Sequence, residues 1–396
     1  MKSRRSGAVR LACSSGLTVV VALTLGASVF SQTSAPQKKG VVERIKVHGK
    51  ALEGNLEGDS PDRDVFVYLP PGYERNRNQR YPVVYLLHGY GLTAERWMPF
   101  GNLAAAADQD IAAGTMKEMI LVNPDAFTKY SGSMYSSSPT TGDWEAYLAE
   151  DLVAYVDSHY RTIPDRMSRG LGGHSMGGYG TIRIGMKRPD VFSSLYIMSA
   201  CCLMNNPGAG RGNRGRGEAA NGARGDAARG EVARGDVARG DGNRGDGNRG
   251  DGTAGQGNRG QGRGNRGAGA FGNVQAAEAA AWSSNPKNPP EFFDLPVKDG
   301  QPQPLVVAKW VANSPLAMLD QYLTNLKKYH AIMGEVGTED GLAASNRELD
   351  QILSTFGIVH TFETYEGNHT NRVPQRFEAK VLPFFSNNLS FTRAKK

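Results

Sequence analysis

A chain of 396 residues with 39% hydrophobic side chains can bury a sizeable core in one large domain or two small ones, and needs no disulfide framework to hold it. Its formal charge of +7 is carried largely by the first 31 residues, because removing them takes away Lys2, Arg4, Arg5 and Arg10 and no acidic group, leaving +3. So small an excess gives no overall basic field and excludes nucleic acid as an expected partner.

The four basic residues stand ahead of an apolar stretch from Leu17 to Phe30, the pattern of a cleaved export signal over residues 1–31. The expectation is a secreted or periplasmic protein with no stable membrane span once the signal is removed. A retained anchor is the competing reading, since about 20 residues cross a bilayer. The small and polar residues of "GASVFSQTSA" favour cleavage. Only Cys201 and Cys202 then remain, and they read as small apolar side chains at a strand end rather than as a bridge.

"VVERIKVHG" and "RDVFVYLPPGY" read as early strands, the second stopped by Pro70 and Pro71. "YPVVYLLHG" and "KEMILVNPD" are near-continuous apolar runs, as expected of strands buried on both faces. "WEAYLAEDLVAYVDSHY" is an amphipathic helix with Leu148, Leu152, Val153 and Val156 on one side. "RGLGGHS" is a short strand leading into a serine, "MGGYGTIRIGMKRPD" a helix ended by Pro189, and "VFSSLYIMSA" the next buried strand.

Composition breaks near Pro207. From Gly208 to Gly269 there is no aromatic residue, and units such as "ARGDA" and "NRGDG" recur every five residues. That period excludes a collagen helix and supplies no apolar stripe, so residues 208–270 are expected to be a disordered insert in a discontinuous domain, 41–207 plus 271–390. The repeated "RGD" reads as a drifting polar unit in preference to an adhesion signal. Beyond it, "SPLAMLDQYLTNLKKY" is a helix, "HAIMGEVGTED" a strand, "GLAASNRELDQILSTFG" a helix, "IVHTFETYEG" the last strand and "PQRFEAKVLPFFSNNL" a closing helix. Such alternation predicts an α/β fold, a mainly parallel central sheet flanked by helices, with ligands at the carboxyl ends of the strands.

Gly173-x-Ser175-x-Gly177 is weak alone in a chain with 50 glycines, but here a strand precedes it and a helix follows. A tight strand-to-helix turn pushes a serine hydroxyl out at a helix start, and the glycines remove side chains that would collide there. The hydroxyl needs a base. Among seven histidines, His369 in "YEGNHTNR" lies just beyond the last strand, on the rim expected to hold Ser175. His48, His159, His330 and His360 read as structural or solvated, His88 as a packing residue, and His174 as aimed away from the hydroxyl by the turn. Asp340, in the loop after the preceding strand, gives the chain order serine, acid, histidine. Glu339 is its rival, and either carboxylate could instead cap the helix beginning near Leu342. An oxyanion formed at the serine calls for the backbone N–H of Met176 and a second N–H from the "LLHGYG" turn, at Tyr90.

"YLPPGY", "YPVVYLLHGYG", "GHSMGGYG", "KRPDVFSS", "GTEDGL" and "EGNHT", in this order, resemble the Putative esterase family of the α/β-hydrolase superfamily, with esterase D, feruloyl and acetylxylan esterases and the antigen 85 mycolyltransferases. The resemblance runs from about Val41 to Leu389 apart from the insert. It implies the α/β-hydrolase fold, a nucleophile at Ser175, an acid at Asp340, a histidine at His369 and oxyanion amides at Tyr90 and Met176. It further implies ester cleavage through an acyl-enzyme with no cofactor and no metal. The expected substrate is an acyl ester, on feruloylated or otherwise acylated carbohydrate or on lipid. Transfer of the acyl group to a sugar or lipid alcohol is the alternative, and a non-catalytic binding protein of the same fold a more remote one. The loop from Lys129 to Trp144 offers Tyr130, Ser131, Tyr135 and Trp144 as substrate-binding candidates, with Trp97 after the oxyanion turn as another. Ordinary packing is the competing reading for both tryptophans.

Overall fold

The computed structural model describes residues 39–204 and 274–392. The expected signal and the repeat insert lie outside the described residues. Eight strands form one sheet: β1 (Val41–His48), β2 (Asp62–Leu69), β3 (Val83–Leu87), β4 (Ile120–Pro124), β5 (Arg169–His174), β6 (Ser194–Met198), β7 (Ala331–Gly337) and β8 (Thr361–Tyr365). Their spatial order is β1-β2-β4-β3-β5-β6-β7-β8. β2 pairs antiparallel with both β1 and β4, and every later pairing is parallel. This is a mixed, mostly parallel sheet flanked by helices, the α/β-hydrolase arrangement expected from the sequence.

The burial pattern explains the order. β3, β4, β5 and β6 are buried at every residue, whereas β8 at one edge has none fully buried and β1 at the other has one. Apolar runs take the centre, where helices cover both faces. Within β3 the alternation is strict: Val83, Tyr85 and Leu87 join the core on one face, and Val84 and Leu86 join the other with Tyr196, Met198 and Phe385.

Flanking the sheet are α1 (Ala94–Phe100), α2 (Leu103–Ala113), α3 (Leu152–His159), α4 (Met176–Lys187), α5 (Val274–Trp282), α6 (Pro304–Ala312), α7 (Ala343–Thr355) and α8 (Leu382–Asn388). α4 is buried from Met176 to Met186, so it is the central helix of its layer. Three predicted helices differ in detail. The run from Trp144 into α3 contains a π turn at Tyr147–Asp151. The closing helix contains another at Phe377–Val381, where Pro383 cannot supply the N–H that would continue a regular ladder. The segment beginning at Ser314 is broken into Pro315–Met318, a 3-10 turn Leu319–Tyr322 and Leu323–Leu326, with Tyr322 at φ −119° leaving the helical path. The last strand is shorter than expected, and His360 precedes it, bonded to Asp350 at 2.9 Å.

Parallel register brings the carboxyl ends of β3, β5, β6, β7 and β8 to one rim. Leu87 faces Gly173, His174 faces Met198, Met198 faces Glu335, and Gly337 faces Tyr365. Among the described residues no helix is long and apolar enough to cross a membrane.

Candidate active site

Ser175 sits between β5 and α4 with φ 59° and ψ −114°, a backbone conformation that L side chains rarely adopt. Close packing holds it there. A Cβ on Gly177 would come within 2.1 Å of the Leu87 carbonyl oxygen, and one on Gly173 within 2.6 Å of the Gly177 backbone. Only hydrogen fits at these two positions, so α4 can press against β3 and the turn stays sharp. The Ser175 N–H donates to the Met198 carbonyl at 3.0 Å, and the Ser175 carbonyl accepts from Cys201 at 3.1 Å. The nucleophile candidate is thereby tied to the end of β6.

His369 follows β8, and its Nε2 lies 2.9 Å from Ser175 Oγ while its Nδ1 lies 2.8 Å from Asp340 Oδ2. Asp340 is buried, and its other oxygen accepts from the Leu342 N–H at 2.9 Å. Burial works against its charge, but the hydrogen bond and charge of His369 and the Leu342 N–H hold its carboxyl below the usual carboxylate range. Asp340 therefore both faces the imidazole and opens the turn into α7. Glu339 is exposed, and its N–H donates to the Gly367 carbonyl at 2.9 Å, so it joins the acid loop to the histidine loop through its backbone. The partner of His369 is Asp340.

His88 is buried, with Nδ1 on the Gly89 carbonyl at 2.9 Å and Nε2 accepting the Ala126 N–H at 2.8 Å. Burial pushes its pKa down. It is a neutral scaffold residue. His48 lies between Asp62 and Glu53 on the surface, and His159 stacks on Tyr155.

The turn after β3 lies against Ser175, since a Cβ on Gly89 would stand 3.4 Å from Ser175 Cβ. Tyr90 is half-buried, and Met176 opens α4, where first-turn N–H groups have no partner within the helix. Gly132 wedges against both: a Cβ there would meet Met176 Sδ at 2.6 Å and Tyr90 Cδ2 at 2.9 Å. The Gly91 N–H donates to the Ser131 carbonyl at 3.0 Å and the Tyr90 hydroxyl to the Tyr130 carbonyl at 3.1 Å. Tyr130 and Ser131 are thus fastened beside the turn at Tyr90 and remain half-exposed.

The other three substrate-binding candidates are buried: Trp97 and Trp144 follow the packing alternative, and Tyr135 departs from the sequence expectation. Trp97 is 0% exposed behind His174, its ring parallel to the imidazole within 16°. Trp144 is 1% exposed, with its Nε1–H on the Thr141 carbonyl and Arg63 over its ring. Tyr135 is 0% exposed and donates to the His88 carbonyl at 3.1 Å. Aromatic composition in a rim loop did not distinguish anchors from lining. A partner that sequence reasoning missed is the segment after α5: Phe293 meets the Tyr130 ring edge-on at 5.3 Å, and Tyr130 donates to the Glu291 carbonyl at 3.3 Å.

Under the same loop the Glu57 N–H donates to the Thr140 carbonyl at 3.0 Å, while the buried Glu57 carboxyl lies against Asp59 and no N–H or hydroxyl donor reaches it. Burial, with Asp59 adding to it, pushes that carboxyl up to about 9 from 4.5. The folded state then holds a proton that the unfolded chain releases, so this contribution favours folding at acid pH and is lost as pH rises through that window. Glu57→Gln is expected to stabilise the protein by on the order of 2 kcal/mol at pH 8 and hardly at all at pH 4.5, read from urea unfolding at the two pH values.

Comparison with known proteins gives the family and the fold. The family model described as Putative esterase matches residues 60–373. An endo-1,4-beta-xylanase/feruloyl esterase of Xylanibacter ruminicola is 32% identical over 136 residues, covering 34% of this chain and 19% of that protein. An esterase of Mycobacterium tuberculosis is 32% identical over 131 residues, covering 33% of this chain and 27% of that protein. The chain thus matches less than a third of the length of these two relatives. Among solved structures, a ferulic acid esterase superposes with a TM-score of 0.57 at 19% identity, covering 89% of this chain and 99% of that one. A fluorophosphonate-binding serine hydrolase of Staphylococcus aureus superposes with a TM-score of 0.55 at 16% identity, covering 88% and 99%. At these identities the superpositions speak to fold.

Proposed function

Because the chain belongs to the Putative esterase family and is a serine esterase acting on an acyl ester, we propose that it hydrolyses acylated carbohydrate outside the cytoplasm, through Ser175, His369 and Asp340. The observation that carries the mechanistic part is the unbroken path from Asp340 Oδ2 through both nitrogens of His369 to Ser175 Oγ. Ser175 attacks the ester carbonyl carbon as His369 Nε2 takes the hydroxyl proton. Asp340 keeps the remaining proton on Nδ1 and stabilises the imidazolium. The N–H groups of Tyr90 and Met176 receive the oxyanion, where one such donor contributes about 2.7 to 4 kcal/mol. His369 returns the proton to the departing alcohol, and water then attacks the acyl-enzyme by the same route. None of these steps asks for a metal.

An aromatic acyl group, of which feruloyl is one, is favoured by the half-exposed Tyr90 and Tyr130 next to the oxyanion turn, the Tyr130 ring being backed edge-on by the buried Phe293. Support also comes from the feruloyl esterase relative. Export rests on the basic and then apolar residues at the amino end.

The test is a hydrolysis panel of acetyl, butyryl, longer acyl and feruloyl esters with the purified protein, paired with covalent trapping by a fluorophosphonate. The expected results are a higher kcat/KM for the feruloyl ester and one adduct per chain, on the Ser175 peptide. Preference for acetyl esters would overturn the aromatic assignment, and an adduct elsewhere would overturn the nucleophile.

A further inference from the structure

His174 immediately precedes the nucleophile and is buried, yet its side chain turns toward the base and not the hydroxyl. Its Nε2 lies 2.7 Å from the main-chain carbonyl oxygen of His369. A carbonyl oxygen only accepts, so His174 carries its proton on Nε2 and donates it. The two imidazole rings are 4.7 Å apart between centroids and tilted by 39°. His174 also stacks with the buried Trp97 at 6.3 Å and lies 6.4 Å from Phe100, so its own position is fixed by the core.

The base is not walled in by the core in this way: its side chain is 35% exposed, held only by Asp340 on one nitrogen and Ser175 on the other, and it sits in a loop. Asn368 organises that loop locally, its carboxamide oxygen accepting the Thr370 and Asn371 N–H groups at 3.0 Å. The Gly367 carbonyl ties the loop to the acid through Glu339. What ties it to the nucleophile's own strand is the bond from His174.

We propose that His174 is a positioning residue for the esterase reaction: its Nε2–H grips the His369 carbonyl and sets the base at hydrogen-bonding distance from the adjacent Ser175. The inference rests on Ser175 and His369 being nucleophile and base. Since His174 adjoins Ser175 in the chain, one bond references the base to the backbone that carries the nucleophile. Neutrality suits the role. Burial, and then the charge of His369, push the His174 imidazole down to about 3, so no second cation opposes the imidazolium that forms on His369.

Two variants separate the hydrogen bond from the packing. His174→Phe keeps a ring against Trp97 and removes the donor, whereas His174→Gln removes the ring and carries an amide N–H at comparable reach. On a p-nitrophenyl ester, His174→Phe is expected to lower kcat by about 10- to 100-fold with KM within about twofold, and His174→Gln to recover most of that loss. Thermal unfolding establishes that each variant is folded, and His174→Leu replaces the phenylalanine variant if that one is not. A donor-free variant with wild-type kcat, or equal losses in the donor-free and glutamine variants, would overturn the positioning role. Ser175→Ala and His369→Ala, assayed in parallel, keep the two ideas apart: wild-type turnover in either would reject the catalytic assignment itself.

Discussion

Ser175→Ala is expected to lower kcat for a p-nitrophenyl ester by about 10⁶-fold, and adding His369→Ala to that variant is expected to cost almost nothing more. The reason is geometric. His369 Nε2 has one reactive proton within reach, that of Ser175 Oγ at 2.9 Å, and without the hydroxyl the base has nothing to activate. Losses that would add for independent groups therefore coincide. Asp340→Asn is expected to be milder, at about 10⁴-fold. An amide presents an N–H to Nδ1, drives the imidazole proton to Nε2, and leaves the serine facing a donor in place of an acceptor. The double variant is the sharper measurement. If removing His369 slowed the Ser175→Ala protein by a further hundredfold, the histidine would be acting on water or substrate directly, and the proposed acyl-enzyme would be abandoned. Equal chemical-step rates in wild type and Ser175→Ala would be as damaging.

The parts of this site that were legible in advance are those fixed by backbone geometry and chain order. Glycines at 173 and 177 around a serine announced the strained turn because no other residue survives a 2.1 Å approach to a carbonyl. Apolar runs announced β3, β4 and β6 because strands covered on both faces bury every residue and so carry mostly apolar side chains. Asp340 and His369 followed from the order in which strand ends reach the rim. Less legible was anything decided by which way a side chain points. Trp97, Trp144 and Tyr135 had the composition of a binding loop but face inward, and Phe293 lies on the far side of the insert from Tyr130. α1 and α2 gave too little amphipathic signal to be singled out, since the second is largely alanine. The π turns at Tyr147–Asp151 and Phe377–Val381 were not read from the sequence, where each run was taken as one regular helix.

Arg376→Ala is expected to destabilise the fold by about 3 to 5 kcal/mol at pH 8, the cost of leaving a buried charge without its counter-ion. Glu335 is 0% exposed in β7, the strand that runs on to Asp340. Its carboxylate accepts from Arg376 Nε at 3.0 Å and from the Tyr196 hydroxyl at 2.7 Å, and Arg376 reaches across to Glu363 in β8 as well. Burial raises the pKa of Glu335, and Arg376 is the largest influence opposing that rise. Removing the guanidinium would therefore raise it further, so the variant escapes part of the penalty by taking up a proton on folding. That escape is available at acid pH and fades as pH increases, because an acid whose folded pKa exceeds its unfolded value loses stability on the alkaline side. The measured loss should accordingly be smaller at pH 5 than at pH 8 in urea unfolding. A second variant separates charge from packing: Arg376→Met with Glu335→Gln removes both charges and should recover most of the stability, since buried ion pairs replaced together by neutral side chains are often nearly neutral in cost. A loss equal at both pH values, unrelieved in the double variant, would show that Arg376 acts through its packing over the Tyr365 ring, 4.6 Å away, and not as the counter-ion of β7.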